Sequence, residues 1–269
     1  MENKIQNYVD WKRISRAVDH STDKKFSVEK INDVILKLQL MYDIVGSYSQ
    51  TRSMLSSIGE ILLNDNVPNI YVPVCPDYSH INQLYTMEYV SNGVSLVAQK
   101  HIDFLLEIRS IIPSLNVIFL IADQECYDSV LCNKMGISTN EFRSRIIESN
   151  KELYSSILQF GWKAEEMSKI VPDILSKEQE YSLWIGSTPE FSRQIDYDTY
   201  KRDVLYKKIN PLLSWEDKRK RTVHTAAQYY CLGKFTKDMG ALICNHTTTN
   251  LAWYLKTGVA LIENPIIIY

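Results

Sequence analysis

Glycine is scarce in this chain, 9 in 269 residues, and no group of glycines has the spacing of a phosphate-cradling loop. That absence disfavours P-loop nucleotide hydrolases and ordinary dinucleotide dehydrogenases, whose loops need glycine so that backbone amides can approach phosphate. No His-Glu-x-x-His helix and no Gly-x-Ser-x-Gly elbow occur either, and the second absence disfavours the α/β serine hydrolases. Nowhere do about 18 uncharged apolar residues run together, so no membrane-spanning helix is expected. The opening MENKIQNYVDWKRISRAVDH is polar and mixed in charge, without the apolar centre of a secretory signal. Charge of one sign is missing too: 30 Lys plus Arg face 32 Asp plus Glu, so no overall field draws the protein to nucleic acid or anionic lipid. The five cysteines, Cys75, Cys126, Cys132, Cys231 and Cys244, are scattered and odd in number, as expected of reduced thiols in a cytoplasmic compartment. Even the nearest pair, Cys126 and Cys132, is too far apart for a zinc knuckle, and no metal site is predicted.

The composition is that of a globular protein, 45% hydrophobic and 23% charged, which rules out wholesale disorder. Tyrosine is abundant, 17 against 7 Phe, and supplies apolar bodies whose hydroxyls need partners in the core rim or on a surface. Val28, Ile31, Val34, Ile35, Leu38, Met41 and Ile44 recur at helical spacing and predict a helix over Ser27 to Val45. A second helix is expected over Thr51 to Leu63. With the opening segment they form a helical N-terminal layer, residues 1–65, closed by the turn-rich Asn64 to Pro68. Residues 66–269 then read as an α/β domain in which short apolar runs alternate with helices. Asn69 to Val74 is a strand, Val94 to Ile112 a helix stopped by Pro113, and Val117 to Ala122 a strand apolar enough to be buried on both faces. Strand, helix and strand in that order make a parallel unit. Ser138 and Glu141 form a capping box that opens a helix running to about Phe160. Residues 161–194, broken by Pro172, Gly186 and Pro189, read as helix and loop over the sheet edge or mouth. Ser214 with Asp217 opens a helix through Cys231. The chain ends with strand 241–244, helix 247–256, and strands 259–262 and 266–269, a strand-helix-strand-strand finish.

Parallel sheets bind ligands beyond the carboxyl ends of their strands, where loops and helix N-termini converge, so polar residues there are the candidate site. After the first strand come Cys75, Pro76, Asp77, Tyr78, Ser79 and His80. Ser79 is a candidate nucleophile if a base lies within reach, with Asp77 and Tyr78 beside it; the plain alternative is a Pro76-Asp77 turn. Asp123, Gln124 and Glu125 follow the second strand. Their carboxylates suit an amine, a ribose or a magnesium ion, or divided acid and base roles, or are simply solvated. After the late strand, Asn245, His246, Thr247, Thr248 and Asn250 offer an anion seat at a helix start, with His246 to move a proton; capping by Thr247 or Thr248 is the alternative. Lastly Arg221, His224, Thr225 and Gln228 share one side of the predicted helix after Ser214. That polar stripe can hold an anion through Arg221, unless the Lys218 to Arg221 run is only a solvated face.

Between Asn69 and Phe160 the chain resembles the isonitrile (isocyanide) synthase family in the order of its features. The matching pieces are YVPVCPDYS at Tyr71 to Ser79, the helix from Val94, IFLIADQECYDS at Ile118 to Ser129, and Ile137 to Phe142, about a third of the sequence. The same order is similar to that of tRNA-dependent cyclodipeptide synthases, in which a serine beyond the first strand takes an aminoacyl group; Ser79 is similarly placed, but no match to their Tyr-x-x-x-Glu pair is found. The resemblance implies a Rossmann-like, mostly parallel sheet flanked by helices and a small polar substrate. The expectation is therefore a cytoplasmic transferase or synthase acting on an amino acid, sugar phosphate or nucleotide derivative, with no cofactor indicated. Its site would draw on Asp77, Tyr78, Ser79, Asp123, Glu125, Arg221, His224, Gln228, Asn245, His246, Thr247, Thr248 and Asn250. The rival expectation is a non-catalytic binding or host-interaction protein with a Tyr-rich surface.

Overall fold

The computed structural model describes residues 28–41, 58–62, 68–74, 90–91, 94–123, 129, 132–133, 136–149, 151–171, 173–205, 213–239, 242–246 and 265–268. In chain order the elements are α1 (Val28–Met41), β1 (Asn69–Val74), β2 (Val90–Ser91), β3 (Val94–Ser95), α2 (Leu96–Ile111), β4 (Asn116–Ile121), α3 (Thr139–Ser149), α4 (Lys151–Leu158) and β5 (Lys163–Glu166). There follow α5 (Met167–Ile170), α6 (Ile174–Ser187), α7 (Pro189–Leu205), α8 (Trp215–Asp238), β6 (Leu242–His246) and β7 (Pro265–Ile268). A further helical turn covers 58–62.

Five strands form one parallel sheet in the order β5-β4-β1-β6-β7, and β2 pairs with β3 in a separate antiparallel ribbon. The fold class is therefore α/β, as the alternation of apolar runs and helices predicts. β1 and β4 are the central strands because their runs NIYVPV and NVIFLI supply side chains to both faces. On one face Tyr71 and Leu120 meet Met167, Val171, Ile174 and Ile185 together with Val223, Ala226, Ala227 and Leu232 of α8. On the other, Phe119 stacks on Trp162 with ring centroids 6.2 Å apart. Ile31, Val34 and Ile35 of α1 and Ile102, Leu105 and Ile108 of α2 are buried, and these two helices touch.

The middle of the sheet carries a feature written into β1. The Pro68 and Val74 carbonyls bond across to β4, accepting from the amides of Asn116 at 3.1 Å and Ala122 at 3.0 Å. Backbone groups alternate sides along a strand, so position 73 faces β6, and there the residue is proline, with no amide to donate. The β1 to β4 register runs on to Val74↔Ile121, whereas the β1 to β6 register stops at Tyr71↔Ile243. Proline at this position ends the ladder on the β6 side, where the chain's crossovers change direction.

Several expectations differ in detail. Residues 94–95 are strand rather than helix, and the helix after Ser138 is divided into α3 and α4. Within 161–194 the structure places β5 and two long helices, α6 and α7. The polar Lys163-Ala164-Glu165-Glu166 lacks an apolar run because β5 is an edge strand with one neighbour. The helix after Ser214 continues to Asp238 because Leu232 and Thr236 prolong its buried face. The expected helix 247–256 and strand 259–262 lie outside the described residues. Among the described residues no helix is long and apolar enough to cross a membrane.

Candidate functional site

The sequence-predicted stripe on α8 becomes one wall of a cleft. A capping box starts the helix: Ser214 Oγ accepts from the Asp217 amide at 3.1 Å, and the Asp217 carboxylate accepts from the Ser214 amide at 3.2 Å. Twenty-four residues at about 1.5 Å each make α8 about 36 Å long, against about 20 Å for the six-residue strands β1 and β4. α8 ends at Asp238, shortly before the amino end of β6 at Leu242, so it runs from the carboxyl side of the sheet to the amino side. Residues from Val223 onward pack over the sheet; the earlier turns belong to the carboxyl side. Arg219 ties that part of α8 to α7, donating to Asp196 Oδ1 and Ser192 Oγ at 2.6 Å each.

The cleft lies between α6 and α8, has a volume of about 850 Å³, and also takes Ser129 from the segment following β4 into its lining. Arg221, His224 and Gln228 face it from α8, and Glu178, Ser182 and Gly186 from α6. Spacings of three and four residues on both helices put each set on one face. His224 Nδ1 lies 2.5 Å from Glu178 Oε1. Gln228 Nε2 points at Glu178 Oε2 from 3.5 Å, long for a hydrogen bond. The histidine is about a third exposed while Glu178 is nearly buried. A carboxylate holding Nδ1 orients the ring and leaves Nε2 as the nitrogen able to exchange a proton with a bound molecule.

Below this pair, Cys231 is buried, and burial, with the Glu178 charge adding, pushes its thiol up to about 12. It is an inert core residue rather than a nucleophile. Ser182 Oγ, one helical turn beyond Glu178, is buried without a hydrogen-bond partner.

Asp123 occupies a different place. It is 0% exposed, its Oδ1 accepts from the Ser168 amide at 3.0 Å, and its Oδ2 accepts from Ser168 Oγ. Burial raises its pKa, and the two bonds from Ser168 partly offset that rise. Beside it Glu166, at the end of β5, accepts two bonds from Arg143 at 2.6 and 2.7 Å and pairs with Lys169 Nζ at 2.5 Å. The Arg143 bonds hold its carboxyl below the usual range despite burial. Burial, aided by Glu166, Glu165 and Asp123, pushes Tyr154 up to about 12. Arg143 thereby ties α3 to the end of β5, and Ser168 ties α5 to the residue that follows β4.

Of the expected site residues, Arg221, His224 and Gln228 are thus brought together. Asp123 sits with Ser168 instead of lining that cleft. Asn245 and His246 are the last residues of β6, in register with Ile267 and Ile268. Asp77, Tyr78, Ser79, Glu125, Thr247, Thr248 and Asn250 lie outside the described residues. Sequence reading missed Glu178, Ser182, Arg143, Glu166 and Ser168. Glu178 lies 46 residues before His224, and nothing in its local sequence signals that pairing. Among the described residues no three His, Cys, Asp or Glu side chains gather to hold a metal. No protein-family model, no curated protein and no solved structure matches the chain.

Proposed function

We propose that the protein is a cytoplasmic transferase or synthase of Rossmann-like α/β fold, acting on a small polar metabolite such as an amino acid, a sugar phosphate or a nucleotide derivative. The metabolite binds on the carboxyl side of the sheet, in the cleft between α6 and α8. The observation that carries this reading is the Glu178–His224 pair facing that cleft with Arg221 and Gln228. Glu178 fixes the imidazole through Nδ1; Nε2 takes a proton from the attacking hydroxyl or amine and returns it to the leaving group. Arg221 supplies a fork for a carboxylate or phosphate of the substrate.

Three further features support the reading. Counted along the chain, the five sheet strands stand in the order 3-2-1-4-5, the order of nucleotide-binding α/β sheets. The cleft volume falls within the range of small-molecule sites, about 300–1,000 Å³. The order of features that resembles isonitrile and cyclodipeptide synthases points to small-molecule group transfer as well.

The second reading, a non-catalytic binding protein, draws on exposed Leu183, Tyr197 and Tyr200 along α6 and α7. A thermal-shift screen with amino acids, sugar phosphates and nucleotides separates the two. A ligand at a hundred times its Kd stabilises the protein by about 2.7 kcal/mol, and His224→Gln should abolish or strongly reduce that shift. No stabilisation by any of the three classes would favour the binding protein.

A further inference from the structure

We propose that the α6–α8 cleft takes an amphipathic small molecule: a hydrogen-bond-donating head, hydroxyl or ammonium, at Glu178 and His224, and an apolar body lying across Leu175, Leu183, Val223 and Gly186. This rests on the cleft being the ligand site and narrows the proposed metabolites to those with an apolar body, such as an amino acid with an apolar side chain, rather than a sugar phosphate.

The walls of the cleft divide by character. Around Glu178 they are polar, with His224 and Gln228 converging on a carboxylate that can only accept hydrogen bonds when ionised. A head that donates is the complement. The charged residues of the lining are balanced, Glu178, Glu216 and Asp217 against Arg219, Lys220 and Arg221, and Arg219 is already engaged by Asp196. The cleft is therefore not a concentrated anion seat, and a free phosphate alone does not satisfy it.

Apart from Glu178 and Gln179 the α6 wall is apolar or small. Leu175 is 43% exposed and Leu183 71% exposed on the same side of the helix, so both leave apolar surface in water that a ligand body would cover. From Glu178 toward the end of α6 the cleft-facing positions shrink: Ser182 and then Gly186, each a turn apart. A Cβ built on Gly186 meets nothing nearer than Val223 Cγ1 at 3.9 Å, an ordinary contact. Packing therefore does not demand glycine there, and alanine would favour the helix more. What glycine provides is room: a side chain longer than alanine at 186 would project into the cleft. Ser182, whose hydroxyl lacks a partner, stands between Glu178 and the Leu183–Gly186 part of the body site and offers a further donor to a ligand that reaches past Glu178.

Binding of four probes to the full chain, followed by NMR titration, tests the class: benzylamine and benzyl alcohol against methylamine and methanol. The expected result is that one benzyl probe binds at least tenfold more tightly than its methyl counterpart. Gly186→Ala should keep that affinity within twofold, Gly186→Leu should lower it at least tenfold with its melting transition intact, and Glu178→Gln should weaken the head contact for the benzyl and methyl probes alike. Benzyl and methyl probes binding equally, or Gly186→Leu binding as wild type does, would overturn the proposal. In that case His224-dependent shifts with polar metabolites would still uphold the cleft as a site. Absence of binding by probes and metabolites together would overturn both.

Discussion

Replacing Arg143 by methionine keeps a helix-forming side chain of similar length on α3 and removes both bonds that Glu166 accepts at 2.6 and 2.7 Å. Glu166 is only 3% exposed, while Arg143 is 35% exposed. Stripping one partner from a fully buried ion pair costs about 3–5 kcal/mol, because the remaining charge is left desolvated. Two features reduce the cost here: Arg143 is partly screened by water, and Lys169 Nζ remains 2.5 Å from Glu166 Oε2. The expected loss is about 2 kcal/mol at pH 7, or a fall in Tm of roughly 5 °C for a chain of this size. The pH dependence follows from the depressed pKa. A carboxyl whose folded pKa lies below its ordinary value of 4.5 adds stability that is complete above that value and disappears as pH falls through the folded one. Urea unfolding of wild type and Arg143→Met at pH 7 and near pH 3 should therefore give a gap that narrows in acid. A loss under about 0.5 kcal/mol at pH 7, within the range of ordinary exposed ion pairs, or a gap unchanged near pH 3, would refute the reasoning.

Asp123 should respond with the opposite sign: burial raises its pKa above 3.8, so its contribution is present at low pH and lost as pH rises through the folded value. Asp123→Asn, which can still accept from the Ser168 amide, should gain on wild type in urea unfolding between pH 4 and pH 7. Ser182→Ala removes an unpartnered buried hydroxyl and improves helix propensity, and should raise stability by about 1 kcal/mol in the same assay. Ser214→Ala removes the acceptor for the Asp217 amide and should cost about 1 kcal/mol, read as a lower Tm.

The central strands were legible because β1 and β4 are uninterrupted apolar runs, a pattern set by burial on both faces. The starts of α3 and α8 were legible because caps are local: Ser138 Oγ accepts from the Glu141 amide, while the Glu141 carboxylate turns to Arg145 instead of closing a box, and Ser214 with Asp217 forms the reciprocal box. β5 was not, since an edge strand made of Lys163, Ala164 and two glutamates has no periodic signature. The site divided along the same line. Arg221, His224 and Gln228 could be placed on one helix face by spacing alone. Glu178 could not be joined to them, because the docking of α6 on α8 is a tertiary choice with no local code. Asp123 shows the converse limit: its position at a strand end was plain, but its burial against Ser168 depends on β5 and α5, neither of which the sequence reading had recognised.

The most direct test of the account is a crystal structure of the protein soaked with the metabolite that gives the largest thermal shift. Ligand density between α6 and α8, with a polar atom within hydrogen-bond reach of His224 Nε2 and the Glu178–Nδ1 contact kept, is the predicted result. Density confined to another part of the molecule, with the cleft empty, would contradict it.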